Sequence, residues 1–208
     1  NAIQILAGAS VLPQSALAAG AEPAGAAEKA RVCWLADLDL TKVQQSCGAW
    51  KPAVKDKTCN DKPLTIAGKT FERGFQMTFF GEGYGFFELD LKPGVQKFLA
   101  SVGVNDQGDF CDPVEFFVYG DNELLWSSGR MQLKDAAKAV DVPLAGKKRL
   151  LLIAKSTDNN GCNVDWADSR ILLDSNTSGD LVSVALPEPA EILTPKPGPA
   201  PKINGARV

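Results

Sequence analysis

Two segments hold the side chains best suited to chemistry. One offers Asn105, Asp106, Gln107 and Asp109, and the other Asp158, Asn159, Asn160, Asn163 and Asp165. Planar carboxylates and carboxamides make paired hydrogen bonds to neighbouring hydroxyls, and on loops at one end of a fold they suit a polyhydroxylated ligand. The same residue types also serve turn geometry with no ligand at all. The pairs Asp106/Asp109 and Asp165/Asp168 could in principle act as acid and base, or acid and nucleophile, on a glycosidic bond. Each pair is close in sequence on a turn or strand, with no sign of an enclosing cleft, so catalysis is not expected of this chain. Asp165 and Asp168 are also candidate calcium ligands, because calcium takes oxygen donors, although no EF-hand-like loop is present. The 208 residues contain no histidine, which excludes Ser-His-Asp and Cys-His nucleophiles and every His-ligated zinc site.

The cysteines are Cys33, Cys47, Cys59, Cys111 and Cys162. None lies in a C-x-x-C motif, which argues against a zinc knuckle or a thioredoxin-like pair. Spread singly through a loop-rich chain, they fit an oxidising compartment and up to two disulfides with one thiol left over. Reduced, packed cysteines are the alternative. The net charge of −3 is scattered, and no basic cluster exceeds Lys147-Lys148-Arg149. A nucleic-acid surface needs concentrated positive charge and is not expected. No apolar run approaches the ~20 residues that span a bilayer.

The elements that must position these side chains read as strands. Residues 1–30 are rich in Ala and Gly, and Ala16-Leu17-Ala18 is a small-x-small triplet of the kind signal peptidase cuts. This predicts the end of a secretory signal and a flexible spacer. From residue 31 to 173 short runs alternate apolar and polar residues at period two. Phe87, Leu89 and Leu91 share a face, as do Phe98, Ala100, Val102 and Val104; Val114, Phe116 and Val118; Val140 and Val142; and Leu150, Leu152 and Ala154. Gly120-Asp121-Asn122 is a hairpin turn. About eight short strands and no long amphipathic helix predict an all-β sandwich or jelly roll. Trp34 and Trp166 are expected in the core, and Trp50, in a Pro/Lys-rich loop, is the stacking candidate. Residues 174–208 pass through a Pro-rich tract, expected to be a semi-rigid linker to a further domain.

Several motifs occur in order along residues 31–173. They are Trp34-Leu35-Ala36-Asp37-Leu38, Pro63-Leu64-Thr65-Ile66-Ala67-Gly68-Lys69-Thr70-Phe71, Ser101-Val102-Gly103-Val104-Asn105-Asp106, Phe117-Val118-Tyr119-Gly120-Asp121 and Asp165-Trp166-Ala167-Asp168-Ser169-Arg170. In this order they resemble the NPCBM domain family, related to carbohydrate-binding module family 51. The resemblance implies a galactose-binding-like β-sandwich that binds carbohydrate, with a galactose-type glycan as first partner. It also implies a role as the accessory domain of a larger secreted bacterial glycoside hydrolase such as an α-galactosidase. Gln76, Thr78 and Asn163 fall where the family carries sugar-site elements, with Thr78 and Asn163 standing where it usually has histidines. Cys111 and Cys162 look like additions to the family pattern. They lie in the two polar segments, where a bridge would staple a site, and Cys47 with Cys59 would close a short local loop. A protein-adhesion or structural sandwich that has lost sugar binding is the alternative, with Phe79, Phe80, Tyr84, Phe86 and Phe87 as its surface.

Overall fold

The computed structural model describes residues 31–47, 52–80, 83–108, 111, 113–156, 161–175 and 177, and the backbone of 182–184. In chain order the strands are β1 Arg31–Trp34, β2 Gln44–Ser46, β3 Val54–Lys55, β4 Leu64–Ile66, β5 Lys69–Phe71, β6 Gly74–Phe79 and β7 Tyr84–Leu91. They continue with β8 Val95–Val104, β9 Val114–Gly120, β10 Glu123–Met131, β11 Lys138–Pro143, β12 Arg149–Ser156, β13 Cys162–Leu173 and β14 Val182–Val184. The helical elements among the described residues are two three-residue 3₁₀ turns, Leu35–Asp37 and Leu40–Lys42.

Two six-stranded sheets form a sandwich. The first has the order β11-β8-β13-β6-β3, with β1 also on β13; the second has β10-β9-β12-β7-β14, with β2 also on β7. Period-two alternation decides which side chains meet between them. Phe75, Met77, Phe98, Val102, Val164 and Trp166 of the first sheet pack against Phe87, Leu89, Phe116, Val118, Leu150 and Leu152 of the second. Trp166 is the hub. Its indole meets Phe116 edge-on at 5.4 Å and lies 6.4 Å from Phe75, which in turn stacks on Phe87 at 4.7 Å. The indole N–H is buried without a hydrogen-bond partner, a cost that the packing offsets.

The chain has more strands than its alternation suggests, because β1 to β5 and β14 are too short to show a period. The hairpin β4–β5 belongs to neither large sheet. Leu64, Ile66 and Phe71 pack with Ala167 in a second, smaller core on the outer face of the first sheet. Gly103 makes the approach possible, since a Cβ there would sit 2.4 Å from Ile66 Cγ2. Trp34 departs from expectation. It is half-buried, with the guanidinium carbons of Arg73 and Arg170 at 4.7 and 5.3 Å from its ring. β1 pairs only with β13 and places Trp34 opposite Arg170, outside the sandwich interior. Of the aromatic run, Phe79 and Phe87 are core residues, while Phe80 is 39% exposed.

Gly74 supplies a test of this arrangement. Its φ is +139°, and a Cβ would fall 2.5 Å from the carbonyl oxygen of Trp166. Gly74→Ala is expected to cost about 2–5 kcal/mol in urea unfolding, from backbone strain plus a clash with backbone. Gly146→Ala, at φ +78° with open space around the new methyl, is expected to cost only about 1–2 kcal/mol.

Candidate functional site

The outer face of the first sheet is polar where β6, β13 and β8 run side by side. Register places Asp165 between Gln76 and Gly103, and Asn163 opposite Thr78. Asn105 follows β8 on the same face. Asp165 is fully buried, as is Asn105, and Gln76 is 1% exposed. A carboxylate taken out of water needs donors, and two carboxamides supply them. Asn105 Nδ2 donates to Asp165 Oδ2 at 2.6 Å, and Gln76 Nε2 donates to Oδ1 at 3.3 Å.

Neither amide is free to turn over. Asn105 Oδ1 accepts from the backbone N–H of Gln107, and Gln76 Oε1 accepts from that of Cys59, both at 2.9 Å. The chain itself thus orients both NH₂ groups onto Asp165. Burial pushes this carboxyl up to about 7, against the opposing pull of the hydrogen bonds from Asn105, Gln76 and the Thr65 backbone.

Asp106 holds the neighbouring hairpin. Ala67 and Gly68 both have positive φ, the geometry of a tight two-residue turn. Their N–H groups donate to the two oxygens of Asp106 at 3.1 and 2.7 Å, and the Asp106 N–H donates to Thr65 O. Lys134 pairs with the same carboxylate at 3.2 Å. Asp106, expected to contact ligand, is therefore occupied in fixing β4–β5. This role was open to view in Ala67-Gly68 lying between two alternating triplets.

Thr78 Oγ1 donates to Asn163 Oδ1 at 2.7 Å. Asn163 is half-buried. With its oxygen taken, its Nδ2 amide is the group left to donate outward. The structure thus brings Gln76, Thr78, Asn105, Asn163 and Asp165 onto one face. Gln76, Asn105 and Asp165 satisfy one another at full burial, and beside them Thr78 is 7% exposed and Asn163 half-buried. Trp50, Asp109, Asn159 and Asn160 lie outside the described residues.

Asp165 and Asp168 are not brought together. Asp165 faces the two amides, whereas Asp168 sits at φ +51° in a bulge with its N–H on Arg73 O. Among the described residues no three of Asp, Glu, His and Cys converge on a metal position. Calcium at this pair would have to displace both amide NH₂ groups, which point hydrogens at the carboxylate, so the residues present do not fit it.

Cys111 and Cys162 form a disulfide. It ties the Asn105 segment to the start of β13, one residue before Asn163. The expected Cys47–Cys59 bridge is absent. Cys47 is turned into the core, where burial pushes its thiol up to about 11 and keeps it protonated, while Cys59 sits in the turn that caps Gln76.

The Asp165 carboxyl is expected to titrate near pH 7, in place of 3.8, by carbon-13 NMR. Its folded value lies above its unfolded value, so its contribution to stability is present below about pH 3.8 and lost as pH rises through about 7. Urea unfolding of wild type should accordingly weaken across that window more than that of Asp165→Asn. Reduction of Cys111–Cys162, which closes a loop with a sequence separation of 51, should lower stability by about 4 kcal/mol. A non-reducing peptide map should recover this bridge and no other involving Cys47 or Cys59.

Residues 31–172 match the NPCBM/NEW2 domain model. Among curated proteins, Alpha-1,3-galactosidase B of Akkermansia muciniphila is 32% identical over 118 residues, covering 54% of this chain and 14% of that protein. A putative endo-alpha-N-acetylgalactosaminidase of Renibacterium salmoninarum is 26% identical over 167 residues, covering 76% of this chain and 11% of that protein. The chain thus spans a small part of the curated relatives it matches. Among solved structures, the CBM51 of a Clostridium perfringens GH95 in complex with methyl-galactose superposes with a TM-score of 0.59 at 22% identity, covering 68% of this chain and 99% of that one. CBM51-2 of Clostridium perfringens ZmpB, in complex with GlcNAc, gives 0.59 at 21% identity, covering 69% and 32%. With its family model matched across the whole sandwich, the chain belongs to the NPCBM/NEW2 domain family.

Proposed function

We propose that this chain is a non-catalytic module that binds carbohydrate, with terminal galactose-type glycans as its ligand class. One observation carries the reading. Thr78 and the half-buried Asn163 form a neutral hydrogen-bonding pair on a polar sheet face, and the buried groups next to them are already satisfied by one another. Such a face can trade hydrogen bonds with sugar hydroxyls without leaving a buried charge unpaired. The bound methyl-galactose of one solved relative and the galactosidase name of a curated one support the ligand class. In this reading Asn163 donates through Nδ2, Thr78 orients it, and Gln76, Asn105 and Asp165 act as positioning residues. Ring stacking would fall to an aromatic side chain such as Trp50. The parent protein is proposed to be a secreted glycoside hydrolase, which the module would hold at glycan surfaces.

The full chain on a glycan array, run with calcium and with chelator, tests this. Terminal galactosides should be bound equally in both conditions. Asn163→Ala should weaken binding about tenfold, the value of one lost hydrogen bond at a site that must stay satisfied. Thr78→Val, which frees the Asn163 amide to rotate, should weaken it less. A folded protein that binds no glycan would overturn the proposal.

A further inference from the structure

The outer face of the second sheet has a different chemistry. Register sets Phe86, Ile153 and Phe117 in one row across β7, β12 and β9, with Leu151 and Tyr119 in the next row and Tyr84 beyond. These residues form an apolar cluster separate from the sandwich core. No third layer of described strands lies over it. Yet Leu151 is only 1% exposed, Ile153 3% and Phe86 7%, values proper to a covered surface. Glu88 lies on the same face, also 1% exposed. Arg149 Nε is 3.2 Å from its Oε1, but that oxygen has no hydrogen bond. A buried carboxylate oxygen of this kind calls for a donor from above.

The path of the chain says where such a cover would come from. β14 runs antiparallel along β7, with Val182 opposite Leu91 and Val184 opposite Leu89. The next place along β7, opposite Glu88, is taken by Gln44 of β2. Residue 185 therefore cannot continue in the sheet. The inner side is closed to it by core residues Leu40, Val43 and Leu89. The exit left is outward, beside Glu88 and at the rim of the apolar cluster. The residues delivered there are Ala185-Leu186-Pro187-Glu188-Pro189-Ala190-Glu191-Ile192-Leu193. Leu186, Ile192 and Leu193 carry apolar side chains, and the two prolines favour an extended backbone that lies flat on aromatic surfaces and needs few internal hydrogen bonds.

We propose that residues 185–193 fold back across the outer face of the second sheet, covering Phe86, Phe117, Tyr119, Leu151 and Ile153, with a backbone N–H of the segment donating to Glu88 Oε1. The Pro-rich stretch then leaves the sandwich from a fixed point and in a fixed direction, so that what it carries is oriented with respect to the sugar-facing sheet on the opposite side.

Methyl-to-aromatic NOE measurements on the full chain test this. Leu186 and Ile192 or Leu193 methyls should show NOEs to ring protons of Phe86, Phe117 or Tyr119, and these should be intramolecular in an isotope-filtered experiment. Replacing Leu186, Ile192 and Leu193 together by Ser leaves the sandwich residues untouched and should speed proteolytic cleavage within 185–193 about tenfold. Absence of the NOEs, an unchanged cleavage rate, or NOEs that prove intermolecular, as when a second copy covers the face, would each overturn the proposal. None of these readouts involves sugar.

Discussion

A carboxylate enclosed in protein must be given hydrogen-bond donors, and the rest of this molecule's polar face is arranged around that demand at Asp165. Two carboxamides meet it, and each is locked by a backbone N–H on its other side, so that Cys59, Gln76, Asp165, Asn105 and Gln107 form one chain of bonds. It links the turn before β4, the adjacent strands β6 and β13, and the loop after β8. Losing one member would leave its neighbours buried and unpaired, which makes such networks costly to break and rigid while intact. Asp106 extends the same logic by one residue, using its two oxygens to hold the turn of the β4–β5 hairpin.

The hairpin covers one end of the face. It reaches the sheet because Gly103 has no side chain, and its Leu64, Ile66 and Phe71 then cover Ala167. Thr78 and Asn163 lie past its reach. The disulfide from Cys162 to Cys111 lies next to Asn163 in the chain.

The sandwich was legible in the sequence wherever a strand was long enough to show its period. Phe98, Ala100, Val102 and Val104 face the core as their spacing implies, and Trp166 is its centre. The Cys111–Cys162 bridge was legible from its place in two polar segments. Trp34 was misjudged because burial of a tryptophan depends on how many neighbours its strand has, and β1 has one. The Cys47–Cys59 pair was misjudged because proximity in sequence says nothing about which way a side chain points. Residue type pointed to Asn105, Asp106 and Asp165 as sugar contacts, and the family resemblance to Gln76. Their hydrogen bonds go to partners distant in sequence, such as Asp165 with Gln76, which no local pattern encodes.

The central claim is that Asn163 meets ligand while Gln76 and Asn105 stay locked on Asp165. A titration of the isotope-labelled full chain with methyl-galactose, followed through side-chain NH₂ resonances, tests it most directly. The account predicts that the Asn163 NH₂ pair shifts progressively with ligand while those of Gln76 and Asn105 hold their positions. Saturable shifts at Gln76 and Asn105 with none at Asn163 would contradict it.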